Sequence, residues 1–451
     1  AGPAGGAGAR GGGPGPADGP TESREGRVGI EIYRKLGLVT GEDAFPVVGR
    51  FVMLRGPADS TYVGFAASMP PSALQFVRDG DLFAASYQVR LTVKAGSDTA
   101  LRMNRREIVR VDRLEETRRT DEAIFFQRFF KLLPGRYEAD VLVRELATRR
   151  EAALTLTLDV PRFGPGGSPL SSPLVAFKAA ARDVYAQPPP LIVAPRSTIE
   201  LGGAQVLVVE DYSPRPSGFD VSLEIDGRSV WSDTLGWMVT ENGPATGIYS
   251  YPLRRMPPGP ARLRVAALDG GPTISTSVLV ALSDEWVFDS FAEALDHLRY
   301  ALDASELASL RDASPSERVG RWSRFWRQTD PRPQTPENEF LQEYLKRMTT
   351  ANRRFVESSA PGWRTDRGRV FVQLGKADKE VVRADPRSGR TVRIEWTYES
   401  LPPSGVRIVF QDETGLGTFD LTQRSRAVLA ATVRRLRERR GAGGSTPGTD
   451  G

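Results

Sequence analysis

Cysteine is absent from the 451 residues, and histidine occurs once, at position 297. The first absence excludes disulfides, thiolate catalysis and cysteine-ligated zinc. It fixes no redox compartment, because a chain without cysteine is stable in either. The second leaves His297 as the single imidazole for general-base work. Lysine is scarce too: only seven of the 61 basic residues are lysine. That bias, with abundant alanine, glycine and proline, points to coding from GC-rich DNA. It weakens arginine abundance as a sign of nucleic-acid binding, and a nucleic-acid partner is not the expected one. No apolar run reaches the roughly 18 residues that a membrane-spanning helix needs. The formal net charge is +5, with acidic and basic side chains intermixed as on a solvated surface.

What is present is period-two patterning. Tyr87, Val89, Leu91 and Val93 alternate with polar neighbours, as do Tyr137 to Val143 and Leu154 to Val160. One apolar face and one polar face mark strands packed on one side. Val221, Leu223 and Ile225 alternate likewise, and Asp226-Gly227 reads as a tight hairpin turn before Val230 and Trp231. A Pro-Gly turn precedes a late strand in each β region, at Pro134-Gly135 and Pro258-Gly259. From about Asp284 the period becomes helical: Phe291, Leu295, Leu298 and Leu302 share a face. Ser314-Pro315-Ser316-Glu317 is a capping box with proline at the first helical position. A further helix is expected from Thr335-Pro336. Strands resume at Val370–Leu374, followed by Val392–Tyr398, Val406–Phe410 and Thr418–Leu421.

The expected architecture is multidomain and mainly β. Two immunoglobulin-like or fibronectin-like sandwiches lead into a helical segment and a small α+β C-terminal domain. Residues 1–44 are a disordered or extended segment and 45–160 the first sandwich. Residues 161–190, rich in Pro, Gly and Ser, are a linker, and 191–283 the second sandwich. The helical and antiparallel-sheet domain covers 284–425, and 426–451 are a basic helix and a disordered tail. A chain that starts at Ala1 without Met is expected to follow an upstream piece, either a cleaved secretory signal or a trimmed end.

The most specific residues lie between Phe325 and Leu421. Phe325-Trp326 is followed by Asp330-Pro331, then by Glu337-Asn338-Glu339-Phe340, Glu343-Tyr344 and Ala351-Asn352. Gly362-Trp363-Arg364-Thr365-Asp366 follows, then Gly368. The run resembles the bacterial GWxTD-domain family, named for that pentapeptide. Gly375-Lys376-Ala377-Asp378 departs from the family's Gly-x-Pro-Asp turn at Ala377. The resemblance implies an exported, periplasmic or envelope-associated protein and no established catalytic residue. Leu374-Gly375, Trp396 and Phe410 also follow the order seen in outer-membrane assembly lipoproteins of the BamE type, a fold analogy.

Each candidate residue also has a structural reading. Gly362, Trp363, Thr365, Asp366 and Gly368 are expected to form a helix-to-strand corner. There Gly362 is left-handed, Trp363 packs back on the helices, and Asp366 accepts from the turn. Glu337, Asn338 and Glu339 complement a helix N-terminus; with Asp330 and Asp366 they are the carboxylates that calcium binding or carboxylate catalysis would need. His297 falls off the apolar stripe and is expected on the surface. Gly375-Lys376 lacks the remaining residues of a P-loop. Arg434, Arg435, Arg437, Arg439 and Arg440 form the densest charge cluster and could touch an anionic membrane surface. No cofactor, metal ligand set or catalytic residue is assigned. The expected function is a non-enzymatic, exported component of the cell envelope that binds envelope proteins or polymers. The alternatives are a carboxylate-dependent hydrolase of envelope polymers and an outer-membrane assembly factor.

Overall fold

The computed structural model describes residues 33–443 except 35–37, 42–44, 119–122, 201–202, 204, 217, 226, 252–255, 269–270, 272, 283–289, 333, 335–337, 358–359, 385–390 and 403–404. The expected disordered or extended segment 1–44 lies outside the described residues up to residue 32, and Val39–Thr40 within it pairs as a strand; the expected disordered tail from Gly441 is helical to Gly443 and lies outside the described residues from residue 444. Asp226 of the expected turn, Asp284, and the Thr335-Pro336 start with Glu337 also lie outside them.

The chain is mainly β, and it begins with two sandwiches built on one plan. In the first, β1 (Val39–Thr40), β2 (Val48–Arg55), β3 (Thr61–Met69) and β7 (Ile124–Leu132) form a sheet in that order. It faces β4 (Val77–Asp79), β5 (Leu82–Ala95), β8 (Gly135–Glu145) and β9 (Glu151–Val160), with β6 (Asp98–Val111) on the other edge of β5. In the second, β10 (Leu174–Ala179), β11 (Leu191–Val193), β13 (Val206–Asp211) and β16 (Ala245–Ser250) pair in the order β11-β10-β13-β16. The opposing sheet is β12-β18-β17-β14-β15, from β12 (Thr198–Glu200), β14 (Phe219–Ile225), β15 (Arg228–Leu235), β17 (Gly259–Ala267) and β18 (Thr273–Ala281). Thus β2, β3 and β7 stand to β5, β6, β8 and β9 as β10, β13 and β16 stand to β14, β15, β17 and β18. This is the strand partition of immunoglobulin-type sandwiches, found twice.

The sandwiches are stacked. The inner face of β3 gives Val63, Phe65 and Met69 to the first core. Its outer face gives Ala66 to a second layer with Val52, Leu54, Leu174, Ala176, Val193 and Val208. Every residue of β3 is therefore buried. Arg182 crosses the same junction, donating to Arg55 O at 2.8 Å and to Glu210 Oε2 at 2.6 Å. Tyr212 donates to the same carboxylate oxygen at 2.9 Å.

Residues 161–190 are not a free linker. They hold β10, whose Leu174, Val175 and Ala176 are buried between two cores. Composition misled here because a short strand buried on both faces shows no alternation.

The remaining chain packs α1 (Phe291–His297), α2 (Ala304–Arg311), α3 (Pro315–Thr329), α4 (Glu339–Arg354) and α5 (Asp366–Leu374) against the antiparallel sheet β19-β20-β21-β22. Its strands are β19 (Lys379–Ala384), β20 (Thr391–Tyr398), β21 (Val406–Gln411) and β22 (Asp420–Leu421), and α6 (Gln423–Gly443) closes the chain. Both arms of the Ser314–Glu317 capping box form. The expected strand at Val370–Leu374 is instead the second half of α5. Its β-branched run suits a strand, but Thr365 starts a helix by capping it, and tertiary packing overrides propensity. One continuous core runs from Val175 and Phe219 in the second sandwich, through Trp322 and Trp363, to Trp396 and Leu429.

Candidate functional site

Each residue of the Gly362–Asp366 run has a separate mechanical task. Gly362 sits against the end of α4: a Cβ there would lie 2.2 Å from Ala351 O and 2.7 Å from Asn352 O. It is not left-handed, as expected from sequence; the need for glycine is close approach. Trp363 is fully buried, its ring 4.8 Å from that of His297 and 6.1 Å from that of Tyr300. The guanidinium groups of Arg299 and Arg364 lie over the indole at 5.5 and 4.9 Å. Asp296 ties both arginines from below, with Arg364 at 2.9 Å. Thr365 Oγ1 donates to Gly362 O at 2.8 Å and accepts from Gly368 N at 3.0 Å, so Thr365 is the cap of α5. Asp366 does not serve the turn: its Oδ2 accepts from Leu421 N at 2.7 Å and faces Arg426 at 3.6 Å. A Cβ on Gly368 would lie 1.9 Å from Gly362 O, which closes the corner.

Asn338 is buried and caps α4, accepting from Leu341 N at 3.0 Å. Its amide nitrogen donates to Trp326 O and Thr329 Oγ1, both at 3.1 Å, which locks α3 to α4. Glu339 occupies the first turn of α4. Asp330 accepts from Arg332 N at 3.0 Å, whereas Asp366 is turned to β22, so the two carboxylates serve different joints. Among the described residues no cluster of three or more His, Asp or Glu could hold a metal ion. His297 is buried, not exposed as expected. Its Nδ1 lies 3.0 Å from Glu293 O, which can only accept, so Nδ1 carries the proton. The stack on Trp363 draws it in, a contact that helical periodicity does not encode.

Residues 276–431 match the family model of the GWxTD domain. The chain carries a GWxTD domain. The match begins inside β18, within the last strand of the second sandwich. No curated protein matches the chain. A solved structure of fibronectin(III)-like modules of Clostridium thermocellum CbhA is similar at 10% identity and a TM-score of 0.13, over 49% of this chain and 85% of that chain. Among the described residues no helix is long and apolar enough to cross a membrane.

Beside the GWxTD corner a cleft of about 710 Å³ opens between the α1–α2 connection, α5 and α6. Arg299, Arg369, Arg434 and Arg437 line it, and among the described residues Asp303 and Glu438 are the carboxylates that do. Leu302, Leu307, Leu429 and Val433 supply an apolar wall. Arg434 and Arg437 come from the expected charge cluster. The rest of that cluster turns elsewhere: Arg435 donates to Pro402 O at 3.1 Å, and Arg439 is exposed. The side chain of Arg440 lies outside the described residues. Sequence reading missed Arg299, Tyr300, Arg369 and Gln373, which gather from α5 and the chain after α1. Burial raises the pKa of Tyr300, so its hydroxyl stays protonated and able to donate.

Proposed function

We propose that this chain is a non-catalytic binding protein of the bacterial cell envelope, and that its GWxTD motif is a structural brace for the arginine-lined cleft. One observation carries the reading: Trp363 holds Arg299 and Tyr300, two residues of the cleft wall, against its own ring. Thr365 starts the helix that carries two more, Arg369 and Gln373. The motif is thus spent on internal contacts, and the surface it shapes is a receptor for a ligand. A cleft of this size falls in the range of small-molecule and headgroup sites, about 300–1,000 Å³. The stacked sandwiches and the shared core provide a stiff arm for it, with natural units at the two sandwiches and the GWxTD domain. Export to the envelope follows the habit implied by the family resemblance.

The test is cosedimentation of the purified chain with isolated bacterial envelope, with release of soluble sugars and peptides followed in the same tubes. The binding reading expects retention on the envelope and no release. Steady release of fragments would instead establish a hydrolase, and absence of retention would remove the envelope as the partner.

A further inference from the structure

We propose that the cleft between α5 and α6 is a binding site for a phosphomonoester attached to an apolar group. The inference rests on the reading of that cleft as the binding surface and names its ligand class. Elsewhere in the molecule several buried or half-buried arginines have carboxylate partners, Arg182 with Glu210, Arg367 with Glu357 and Arg393 with Glu395, while Arg50 is held by the hydroxyl of Ser197 at 2.9 Å. What sets the cleft apart is that several arginines gather on one open wall. Arg369 has no carboxylate within ion-pair distance among the described residues, and its Nε is enclosed without a hydrogen-bond partner. Arg437 likewise has no ion pair there; it donates only to the carbonyls of Tyr300 at 3.1 Å and Leu302 at 2.7 Å. The two acids of the cleft offset them only in part: the backbone N–H of Glu306 and, more weakly, the charge of Arg437 hold the Asp303 carboxyl below its usual range. Asp303 is engaged as the cap of α2, accepting from Glu306 N at 2.8 Å. Glu438 lies 4.0 Å from Arg434.

Four guanidinium groups against two carboxylates on the wall match the charge of about −1.5 to −2 on a phosphomonoester better than the single charge of a carboxylate. Leaving Arg369 unmatched in a partly dehydrated wall costs free energy that a bound dianion offsets. Gln373 adds to the case. Its side-chain oxygen is enclosed and without a partner. The two ends of an amide are assigned, not observed, and the reverse orientation presents the NH₂ group to an oxyanion. Opposite these groups, Leu302, Leu307, Leu429 and Val433 offer nothing to a free inorganic ion. They suit the carbon portion of a lipid-like phosphate. Arg434, at the rim, is exposed and placed to meet such a ligand from solvent.

The experiment is titration calorimetry of the full chain with inorganic phosphate and with a soluble short-chain phosphatidic acid. Flotation is run in parallel with phosphatidylcholine vesicles, with and without long-chain phosphatidic acid. The expected result is saturable binding of the short-chain lipid, tighter than that of phosphate, and vesicle recruitment only when phosphatidic acid is present. Equal affinity for phosphate and lipid would contradict the apolar half of the proposal and make the ligand a free phosphate. Arg369→Gln should weaken lipid binding by about tenfold or more, the worth of one charge-assisted hydrogen bond. Because Arg369 has no partner to lose, the variant should fold and melt no lower than the parent. Arg102→Gln, on exposed β6, is the control and should change nothing. No saturable binding, or binding that Arg369→Gln leaves intact, overturns the proposal. Envelope retention that survives in Arg369→Gln overturns this ligand class while leaving the envelope reading in place.

Discussion

The two sandwiches share a strand plan and differ in what lies on one edge strand. In the first, β6 is long, paired only to β5, and mostly exposed, with Arg102, Arg105, Arg106 and Arg110 in solvent. Charged side chains on a free edge discourage pairing with another chain. In the second, the equivalent strand β15 is shorter, and α3 of the GWxTD domain lies against it. Its Trp231 is buried and joins the core that runs on to Trp322 and Trp363. The same topology is thus protected in two ways, by charge or by a partner domain. The second sandwich and the GWxTD domain should therefore behave as one cooperative body, with the first sandwich docked through a thinner apolar layer.

The harshest way to break that contrast is Trp363→Ala. Truncating a fully buried ring costs about 3–5 kcal/mol, a large part of a domain's roughly 5–15 kcal/mol. Denaturant unfolding should show the second sandwich losing stability with the helices. A loss within about 1 kcal/mol would mean the ring is not a core anchor. Arg182→Met probes the other joint. The Arg182 and Glu210 side chains are 1% and 2% exposed. Removing one charge of such a pair should cost about 3 kcal/mol, and the first sandwich should then undock in limited proteolysis. Gly362→Ala should cost about 2 kcal/mol by overpacking the end of α4. Gly320→Ala in α3, where nothing lies within 4 Å of the added carbon, should instead gain roughly 0.5–1 kcal/mol. Thermal melts of the pair separate close approach from glycine's general flexibility. Asp366→Asn is the mildest change: it keeps an acceptor for Leu421 N and should cost about 1 kcal/mol.

The parts of this design that are legible in sequence are those with one dry face. Tyr87, Val89, Leu91 and Val93 alternate because β5 has solvent on its other side, and the strand is where the pattern puts it. β3 and β10 are buried on both faces, so they carry no alternation, and β10 disappeared into a proline-rich stretch. Capping is local chemistry, and Ser314–Glu317 was readable in full. The cap at Thr365 was equally local, but the valines after it pointed to a strand. The pentapeptide was recognisable; its division of labour was not, since Asp366 reaches Leu421 and Trp363 reaches His297 and Tyr300 across long stretches of chain that hold several helices and strands. For the same reason the cleft was visible only as a surplus of arginine on α6, without Arg299 and Arg369.

Hydrogen exchange across the whole chain, parent against Trp363→Ala, tests the shared core most directly. Peptides from β14, β15 and α3–α5 should lose protection together, while those from β5 and β8 keep theirs. Loss confined to residues 339–374, with β14 and β15 unchanged, would contradict a shared core and make the GWxTD domain an independent unit.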